Sequence, residues 1–243
     1  MRRTAFLIDG GFFLKRLQSL CGSLTPNAAA RKITALCMAH LEHESRSRDN
    51  LYRIFYYDCP PVDKKAHNPI TKRAVDFGTS PTARWRTAFF EQLKVQRKVA
   101  LRLGRLAGGS WQLRPEALKD LLSGARTVAQ LTERDVSYDV RQKAVDMRIG
   151  LDIASLAYKK CVDQIVLFSG DSDFVPAAKL ARREGIDFIL DPMWFSIGPD
   201  LNEHIDGKFS PIPSPKQNIV LDGPSLTPTP PIVTQVEPEK PPE

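Results

Sequence analysis

Two aspartates, two positions apart, follow a short apolar run and offer carboxylate chemistry. Ile165–Phe168 is followed by Ser-Gly-Asp-Ser-Asp, which places Asp171 and Asp173 directly after a predicted buried strand. Phe174–Glu184 then has a helical pattern closed by Gly185, so the segment is typical of half a βαβ unit. Side chains at the carboxyl end of such a strand converge on the crevice where parallel α/β sheets bind ligands. Both aspartates are therefore candidates for meeting a cation or a substrate that carries an anion.

The same segment also has a purely structural explanation. Asp and Ser are favoured helix N-caps, and Gly170 suits a tight turn between a strand and a helix. The other acidic positions decide between the two interpretations. Thr4–Ile8 is a second apolar run, and it too is followed by an acid, Asp9. Because the first strand of an open α/β sheet is usually central, we expect Asp9 to lie beside Asp171 and Asp173 if the two strands are neighbours.

The segment Asp139–Lys160 contains a predicted helix that supplies two further acids. Asp146 and Asp152 are six residues apart, which places them about 120° apart around a helix axis, so at most one points well at a single metal ion. Asp146, close to the predicted helix start and just after Lys143, is the better candidate. Asp152 is predicted to support the site or to be a buried hydrogen-bonding partner. Lys143 is predicted to contact a substrate phosphate, and Ser169 to orient a ligand or a water molecule.

The acids predict a site for a hard divalent cation. Packed carboxylates repel one another unless a cation neutralises them, and the candidate set contains neither His nor Cys. Oxygen ligands alone suit Mg²⁺ or Mn²⁺, which can activate water for phosphodiester hydrolysis. The predicted catalytic and metal-binding set is Asp9, Asp146, Asp171 and Asp173.

The remaining elements are predicted from runs of apolar residues and turn signals. Leu51–Asp58 has the composition of a strand, and the Cys-Pro-Pro that follows favours Asp58 as a turn cap. Val99–Leu106 and Trp111–Arg114, separated by Ala-Gly-Gly-Ser, predict a hairpin. Ile186–Leu190 is predicted to be the last core strand. Earlier in the chain, the pattern indicates a helix over Pro26–His43, a loop or insertion over Val62–Pro81 and a helix over Ala83–Lys98.

One segment is rich in basic residues with aromatic residues between them. It contains a single acid, Glu91, and its charges favour contact with nucleic acid phosphates. The basic residues are Arg84, Arg86, Lys94, Arg97, Lys98, Arg102, Arg105 and Arg114, of which the first seven are the predicted nucleic-acid-binding set. The aromatic residues either stack on bases or belong to the core; they are Trp85, Phe89, Phe90 and Trp111.

Composition limits the class of protein. The 243 residues are 42% hydrophobic and 26% charged, as in ordinary globular proteins, and the net charge of +7 favours an anionic partner. No apolar run approaches the roughly 20 residues that span a bilayer, and Asp9 interrupts the first apolar segment too early for a signal peptide, so a cytoplasmic location without membrane contact is expected. The four cysteines form no CxxC pair, which argues against a zinc ribbon or a disulfide framework.

The domain organisation is predicted from a change in composition near the carboxyl end. Ten of the 33 residues from Pro211 onward are proline, which predicts a disordered tail over 211–243. Such a tail could bind a protein that recognises polyproline II helices. Residues 1–210 are predicted to form one domain that includes a basic insertion over about 62–135. The sequence leaves a homo-oligomer open.

Three motifs in this order carry a family resemblance. IDGG near the start, KAVDMRIGLDIA and SGDSDF resemble the motifs of the NYN domain, in the LabA-like branch of the PIN-like nuclease superfamily, over about residues 4–192. The resemblance implies a doubly wound α/β fold with a central parallel sheet and metal-dependent ribonuclease activity on RNA. It also implies metal-site roles for the same four aspartates, with Asp152 in support. Two positions depart from the pattern: Phe12 stands where many members have Asn, and Ala144 where Gly is usual.

Three functions compete on these residues. The leading hypothesis is a metal-dependent endoribonuclease that acts on single-stranded or structured RNA. A phosphatase of the haloacid dehalogenase kind ranks well below. That chemistry uses a DxD motif on the first strand, whereas this chain has Asp9-Gly10-Gly11 there and lacks the second Asp. The alternative without catalysis is an RNA-binding or regulatory adaptor with a vestigial acidic site, which the Phe12 departure favours.

Overall fold

The computed structural model describes residues 2–214, which fold around a parallel sheet. The strands are β1 (Thr4–Asp9), β2 (Leu51–Asp58), β3 (Lys65–His67), β4 (Ala74–Asp76), β5 (Val99–Leu103), β6 (Arg105–Leu113), β7 (Val136–Lys143), β8 (Gln164–Phe168), β9 (Asp187–Asp191) and β10 (Gly207–Lys208). The α-helices are α1 (Gly10–Cys21), α2 (Pro26–His43), α3 (Pro81–Lys94), α4 (Pro115–Leu122), α5 (Val145–Tyr158), α6 (Val175–Arg183) and α7 (Pro199–Glu203). The predicted proline-rich tail lies, from residue 215 onward, outside the described residues.

The central sheet has six parallel strands in the order β10-β9-β8-β1-β2-β5. Strand β1 is central, as predicted, and pairs with β8 in register from Thr4 opposite Gln164 to Ile8 opposite Phe168. The strand that ends at Asp9 is therefore a direct neighbour of the strand that precedes Asp171. Because all six strands run the same way, their carboxyl ends share one edge, called here the carboxyl edge.

Helices cover both faces of this sheet, which confirms the predicted doubly wound α/β class. Alternate residues of β1 point to opposite faces. Ala5 and Leu7 pack with α5 and α6, whereas Phe6 and Ile8 pack with α1, α2 and α3, and all four are fully buried. A strand buried on both faces needs the continuous apolar run that the sequence has here. Burial of each large apolar side chain contributes roughly 1.5–3 kcal/mol to folding.

The predicted hairpin between Val99–Leu106 and Trp111–Arg114 is wrong. Strand β5 pairs with β2 in the central sheet, while β6 leaves the sheet and pairs antiparallel with β7. The chain changes direction at Gly104, whose N–H donates to the carbonyl of Asp58 and where a Cβ would lie 2.7 Å from the carbonyl oxygen of Lys143. The Ala-Gly-Gly-Ser stretch that suggested a hairpin turn is instead a bulge in β6, with positive φ at both glycines.

The remaining elements agree in part with the predictions. The helix predicted within Asp139–Lys160, with Asp146 close to its start, is α5 and begins at Val145, whereas the residues up to Lys143 form strand β7, which was not predicted. The predicted last core strand, Ile186–Leu190, corresponds to β9, in which Phe188 and Leu190 are fully buried; the two-residue edge strand β10 pairs with it and was not predicted. The predicted basic insertion, about 62–135, contributes α3 to the helical layer and β5 to the central sheet, whereas β3, β4 and β6 lie outside that sheet. Among residues 2–214, no helix combines the length and the apolar character that crossing a membrane requires.

Candidate active site

Asp9 lies at the end of β1 and caps helix α1. Its carboxylate accepts the backbone N–H of Phe12 at 3.2 Å. The next residue must be Gly, because a Cβ on Gly10 would lie 2.6 Å from the hydroxyl of Tyr56 and from the carbonyl oxygen of Tyr57. Burial, opposed by the backbone hydrogen bonds and reinforced by repulsion from Asp146 and Asp58, raises the pKa of Asp9 from 3.8 to about 6. Asp9 is therefore an acid at the carboxyl edge that ionises less readily than an exposed aspartate.

Asp146 lies in the first turn of α5, which starts from an unusual backbone conformation. The residue before the helix, Ala144, has φ 68° and ψ 15°, in the left-handed region that favours glycine. This conformation gives a physical reason for the Gly that is usual at this position of the motif. Desolvation, followed by repulsion from Asp171 and Asp173, raises the pKa of Asp146. Its charge is thus coupled to the two acids that follow β8.

Asp171 and Asp173 both lie in the exposed turn after β8. Asp171 caps the short 3-10 helix Ser172–Phe174 by accepting the N–H of Asp173 at 3.0 Å, so the predicted capping role is real. Ser169 is fully buried, and its hydroxyl accepts the N–H of Asp171 at 3.2 Å. Ser169 therefore positions the turn, while the carboxylates of the two aspartates face solvent.

Electrostatic repulsion connects the four predicted acids. Asp146 is the common member, since its charge acts on Asp9 while those of Asp171 and Asp173 act on it. Within residues 2–214, none of the four takes part in an ion pair with Lys, Arg or His. The carboxyl edge therefore carries mutually repelling carboxylates without a cationic side chain to neutralise them.

The donor chemistry of this set fits a hard divalent cation, but the side chains do not form a closed cage. Across the described part of the chain, no three His, Cys, Asp or Glu side chains come together closely enough to hold an ion. Mg²⁺ commonly binds through one or two carboxylates and keeps several waters or substrate phosphate oxygens. An ion here would rest on Asp146 with one of its coupled neighbours, Asp9, Asp171 or Asp173, and would take its remaining ligands from water and substrate.

Asp152 has other partners. Its carboxylate accepts a hydrogen bond from the Tyr57 hydroxyl at 2.8 Å and lies 3.4 Å from the Nε of Arg102. Burial and the charge of Asp152 raise the pKa of Tyr57. Arg102 also lies over the ring of Phe55, 5.4 Å from its centroid. The second acid of the α5 motif thus fastens the helix to β2 and β5; it is the hydrogen-bonding partner of one predicted alternative, but it is only partly buried.

Asp58 is a strand-end acid whose partners the sequence did not reveal. It is completely buried, accepts the N–H of Cys59 at 2.7 Å and forms an ion pair with Arg86. It is thus a turn cap, as predicted, and also the anchor of an arginine. Burial raises the pKa of Asp58, and Arg86 opposes that effect. Arg86 also donates to the carbonyl of Cys59 at 3.1 Å, so this member of the predicted nucleic-acid-binding set is held in the fold.

The other predicted basic residues fall into two groups. Lys98 donates to the carbonyl of Leu51, Arg102 pairs with Asp152, and Lys94 pairs with Glu91 at 2.6 Å. Three members are exposed and form no ion pair within residues 2–214: Arg84, Arg97 and Arg105. The structure therefore leaves these three available to an anionic partner.

Arg105 and Lys143 lie opposite each other at the base of the β6–β7 arm. Like charges directly opposite on paired strands repel. Both residues are exposed, and Lys143 is three residues before Asp146, at the end of the arm next to the acids. The structure thus brings one predicted basic residue and the predicted phosphate-contacting Lys143 together beside the acidic set. Their pairing in space was not visible in the sequence, because it depends on the unexpected β6–β7 ladder.

The predicted aromatic residues belong mainly to the core. Phe89 and Phe90 are buried on the face of α3 that contacts the sheet, and Trp85 stacks on Phe89 with centroids 5.2 Å apart. Trp111 packs against Phe77 and Tyr138 on the β6–β7 arm. Trp85, Phe89 and Phe90 therefore belong to the core, one of the two alternatives for these rings. The aromatic residues that do reach the acidic edge are Phe12 and Phe195, which no periodicity in the sequence singled out.

One protein-family model matches part of this chain. Residues 89–194 match the family model of the NYN domain. The NYN match includes Asp146, Asp171 and Asp173 and begins after Asp9. It supports a place in the NYN/PIN-like superfamily, a nuclease superfamily, and with it the fold that the resemblance implied.

Similarity of the whole chain to other proteins is weak. No curated protein matches this chain in sequence. Among solved structures, the chain is similar to the crystal structure of a protein of unknown function from Vibrio parahaemolyticus RIMD 2210633, with a TM-score of 0.42 and 13% identity. That comparison covers 85% of this chain and 91% of the other.

Proposed function

We propose that the protein is a metal-dependent endoribonuclease of the LabA-like branch of the NYN family, and that it hydrolyses RNA phosphodiester bonds at the carboxyl edge. The observation that carries the proposal is the group of electrostatically coupled carboxylates without an ion-pairing side chain in the described residues. Repulsion of this kind destabilises the fold, and carboxylates with perturbed pKa values cluster at functional sites. The NYN match over Asp146, Asp171 and Asp173 supports the same assignment.

The residues around the acids suit an anionic polymer. Arg105 and Lys143 would contact phosphates that flank the cleaved bond, which would relieve their mutual repulsion. Arg84 and Arg97, exposed on and after α3, would contact the RNA backbone further along. Arg86, Lys94, Lys98 and Arg102 are assigned to the fold instead, because their side chains already have protein partners.

Roles at the acidic edge follow from the environment of each carboxylate. Mg²⁺ or Mn²⁺, when bound, would supply an activated water and stabilise the leaving oxygen. Asp146 would hold the cation together with one of its coupled neighbours, Asp9, Asp171 or Asp173. Burial and neighbouring carboxylates raise the pKa of Asp9 to about 6 in the protein alone, and a bound cation would favour its ionised form. Ser169 would keep the turn that carries Asp171 in place.

The decisive experiment compares cleavage of a pool of labelled RNAs by wild type and Asp171→Asn, with Mg²⁺, Mn²⁺ or EDTA. We expect wild type to cleave only with the metal, and the variant to lose at least about 100-fold in rate while it unfolds at the same temperature. Asp49→Asn is the matched control, because Asp49 is an exposed acid just before β2, at the opposite edge of the sheet. Equal cleavage by Asp171→Asn and wild type would refute the assignment.

A second candidate function is an RNA-binding adaptor without catalysis. The observation that favours it is that no three acidic, His or Cys side chains in residues 2–214 converge on one point. The same experiment separates the two functions. RNA binding that persists in EDTA, with no cleavage by wild type under any metal, would favour the adaptor. Metal-dependent cleavage that requires Asp171 would exclude it.

A further inference from the structure

A pair of aromatic rings lies beside the acidic edge. Phe195, in the loop after β9, meets Phe12 edge to face, with ring centroids 5.8 Å apart. Phe195 is 49% exposed, which is unusual for a large apolar side chain that has found an aromatic partner. Phe12 is partly buried, and its backbone N–H is the group that donates to Asp9. One ring of the pair therefore belongs to the same turn as the first catalytic candidate.

Gly170 fixes the position of the pair relative to the second group of acids. A Cβ on Gly170 would lie 2.6 Å from Cδ1 of Phe195 and 3.0 Å from Cε2 of Phe12. Both rings thus lie against the backbone of the residue directly before Asp171. The pair spans the space between the turn that carries Asp9 and the turn that carries Asp171.

The loop that presents Phe195 is held firmly in a costly conformation. Met193 and Trp194 both have positive φ, 44° and 61°, which non-glycine residues rarely adopt. Arg16 donates from Nε and Nη2 to the carbonyl of Met193, at 3.0 and 2.7 Å. The Phe195 N–H donates to the carbonyl of Pro192 at 2.7 Å. These hydrogen bonds keep the exposed ring of Phe195 in place despite the strained backbone before it.

Arg16 also gives the pair a positive charge. Its guanidinium carbon lies 5.8 Å from the centroid of Phe195. A partly exposed ring that an arginine holds in place beside a cluster of acids is chemically suited to a nucleobase, whose flat face stacks on the ring. A base inside a duplex has no free face for such stacking, so the arrangement favours an unpaired nucleotide.

We infer that Phe195, supported by Phe12, stacks on one unpaired nucleobase of an RNA strand and thereby places the adjoining phosphate at the acidic edge. The inference rests on the proposed function, which it deepens by naming the side chain that positions the RNA strand at the acidic edge. Arg16 keeps the loop of Phe195 in place through its hydrogen bonds to the Met193 carbonyl. Phe195 is a binding residue that sets which phosphate reaches the acids.

The test uses wild-type protein first. The cleaved bond of a labelled single-stranded RNA is mapped, and the bases on either side of it are replaced, one at a time, by abasic nucleotides. We expect one abasic position to lower kcat/KM by about 5- to 100-fold, the range that loss of one stacked base produces. Phe195→Ala should lower kcat/KM on intact RNA by a similar factor and add no more than about twofold on that abasic RNA, because the same contact is already lost.

Matched variants separate stacking from exposure of apolar surface. Phe195→Trp should keep most of the wild-type kcat/KM, since it keeps a stacking face. Leu122→Ala, at a side chain 81% exposed on α4, should leave cleavage unchanged. Annealing the RNA to its complement should protect it. The inference is overturned if no abasic position has an effect, or if the abasic and Phe195→Ala effects multiply.

A binding measurement keeps this inference distinct from the nuclease proposal. Fluorescence anisotropy in EDTA compares intact and abasic RNA on Asp171→Asn protein, with and without Phe195→Ala. If wild type never cleaves but Phe195→Ala still weakens binding of intact RNA only, the nuclease proposal fails and stacking stands. If wild type cleaves but Phe195→Ala behaves as wild type in both assays, stacking fails and the nuclease proposal stands.

Discussion

Asp9 and Asp58 end neighbouring strands of one sheet, yet their surroundings differ completely. Asp58 is wholly buried and receives an arginine, a backbone N–H and, at 3.4 Å, the hydroxyl of Tyr56. Asp9 receives only backbone N–H groups and is repelled by other carboxylates. An acid at a strand end is thus an anchor where another element supplies a cation, and a candidate for chemistry where none does.

Asp191, at the end of β9, repeats the pattern of Asp58. It is fully buried and lies 3.0 Å from His40, while Ser210 and the N–H of Met193 donate to it at 2.5 and 2.8 Å. These bonds fasten the loop that carries Phe195. The two anchored acids therefore lie on either side of the central strands, β1 and β8, where the unneutralised acids are found.

The strongest test of the comparison removes the cation from an anchored acid. Arg86→Met should lower the free energy of unfolding by about 3–5 kcal/mol, because it leaves the Asp58 carboxylate buried and unpaired. Arg84→Met, on the same helix at an exposed position, should change it by less than about 0.5 kcal/mol. Urea denaturation measures both. The double variant Asp58→Asn, Arg86→Met should recover part of the loss, and a small effect of Arg86→Met alone would remove the distinction between the two kinds of acid.

A somewhat smaller effect is expected from pH at Asp9. Its pKa rises from 3.8 in the unfolded chain to about 6 in the folded protein, so the folded state binds more protons between these values. Stability contributed by this group is therefore present below about pH 4 and is lost as pH rises to about 6, by about 3 kcal/mol in all. Asp9→Asn cannot ionise at this position and should not show this loss.

The measurement for Asp9 is urea denaturation of wild type and Asp9→Asn from pH 4 to pH 7 without added metal. The variant should become the more stable of the two as pH rises. A difference in stability that stays constant over this range would show that Asp9 is not a desolvated carboxylate.

The smallest effect concerns the backbone that presents Asp146. Ala144→Gly should raise the free energy of unfolding by up to about 1 kcal/mol, since it relieves the left-handed strain at the start of α5. Gly185→Ala is the reciprocal control, because Gly185 has φ 82° with open space around a Cβ and should lose a similar amount. Thermal and urea unfolding measure both variants. Destabilisation by Ala144→Gly would mean that the alanine methyl group contributes packing at this turn.

The sequence predicted the parts of the fold that local pattern controls. The apolar runs of β1 and β8, each ended by an acid, located the central strands and the carboxyl edge correctly. The arm of β6 and β7 was missed because it depends on Gly104, where the chain leaves the sheet, and on a glycine bulge that imitates a hairpin turn. Both features are tertiary contacts, and neither has a periodic signal.

For the candidate site, the sequence identified the acids but not their partners. Asp9, Asp146, Asp171 and Asp173 were named from strand ends and a motif, and the structure couples them electrostatically. The pairing of Arg86 with Asp58 was not predictable, since the two are 28 positions apart and β3 and β4 lie between them in the chain. Phe12 was noted only as a departure from a motif. Its partner Phe195 lies in a loop where Met193 and Trp194 have positive φ, and neither residue type predicts that conformation.

The pairing of β1 with β8 has a consequence for how the chain folds during synthesis. Strand β1 leaves the ribosome well before its partner Gln164–Phe168, which follows about 160 residues later. Until then, one edge of a strand made for complete burial has open backbone groups and can pair with another nascent chain. A nascent chain that pauses before residue 164 is therefore exposed to aggregation, and rapid translation through α5 shortens that interval.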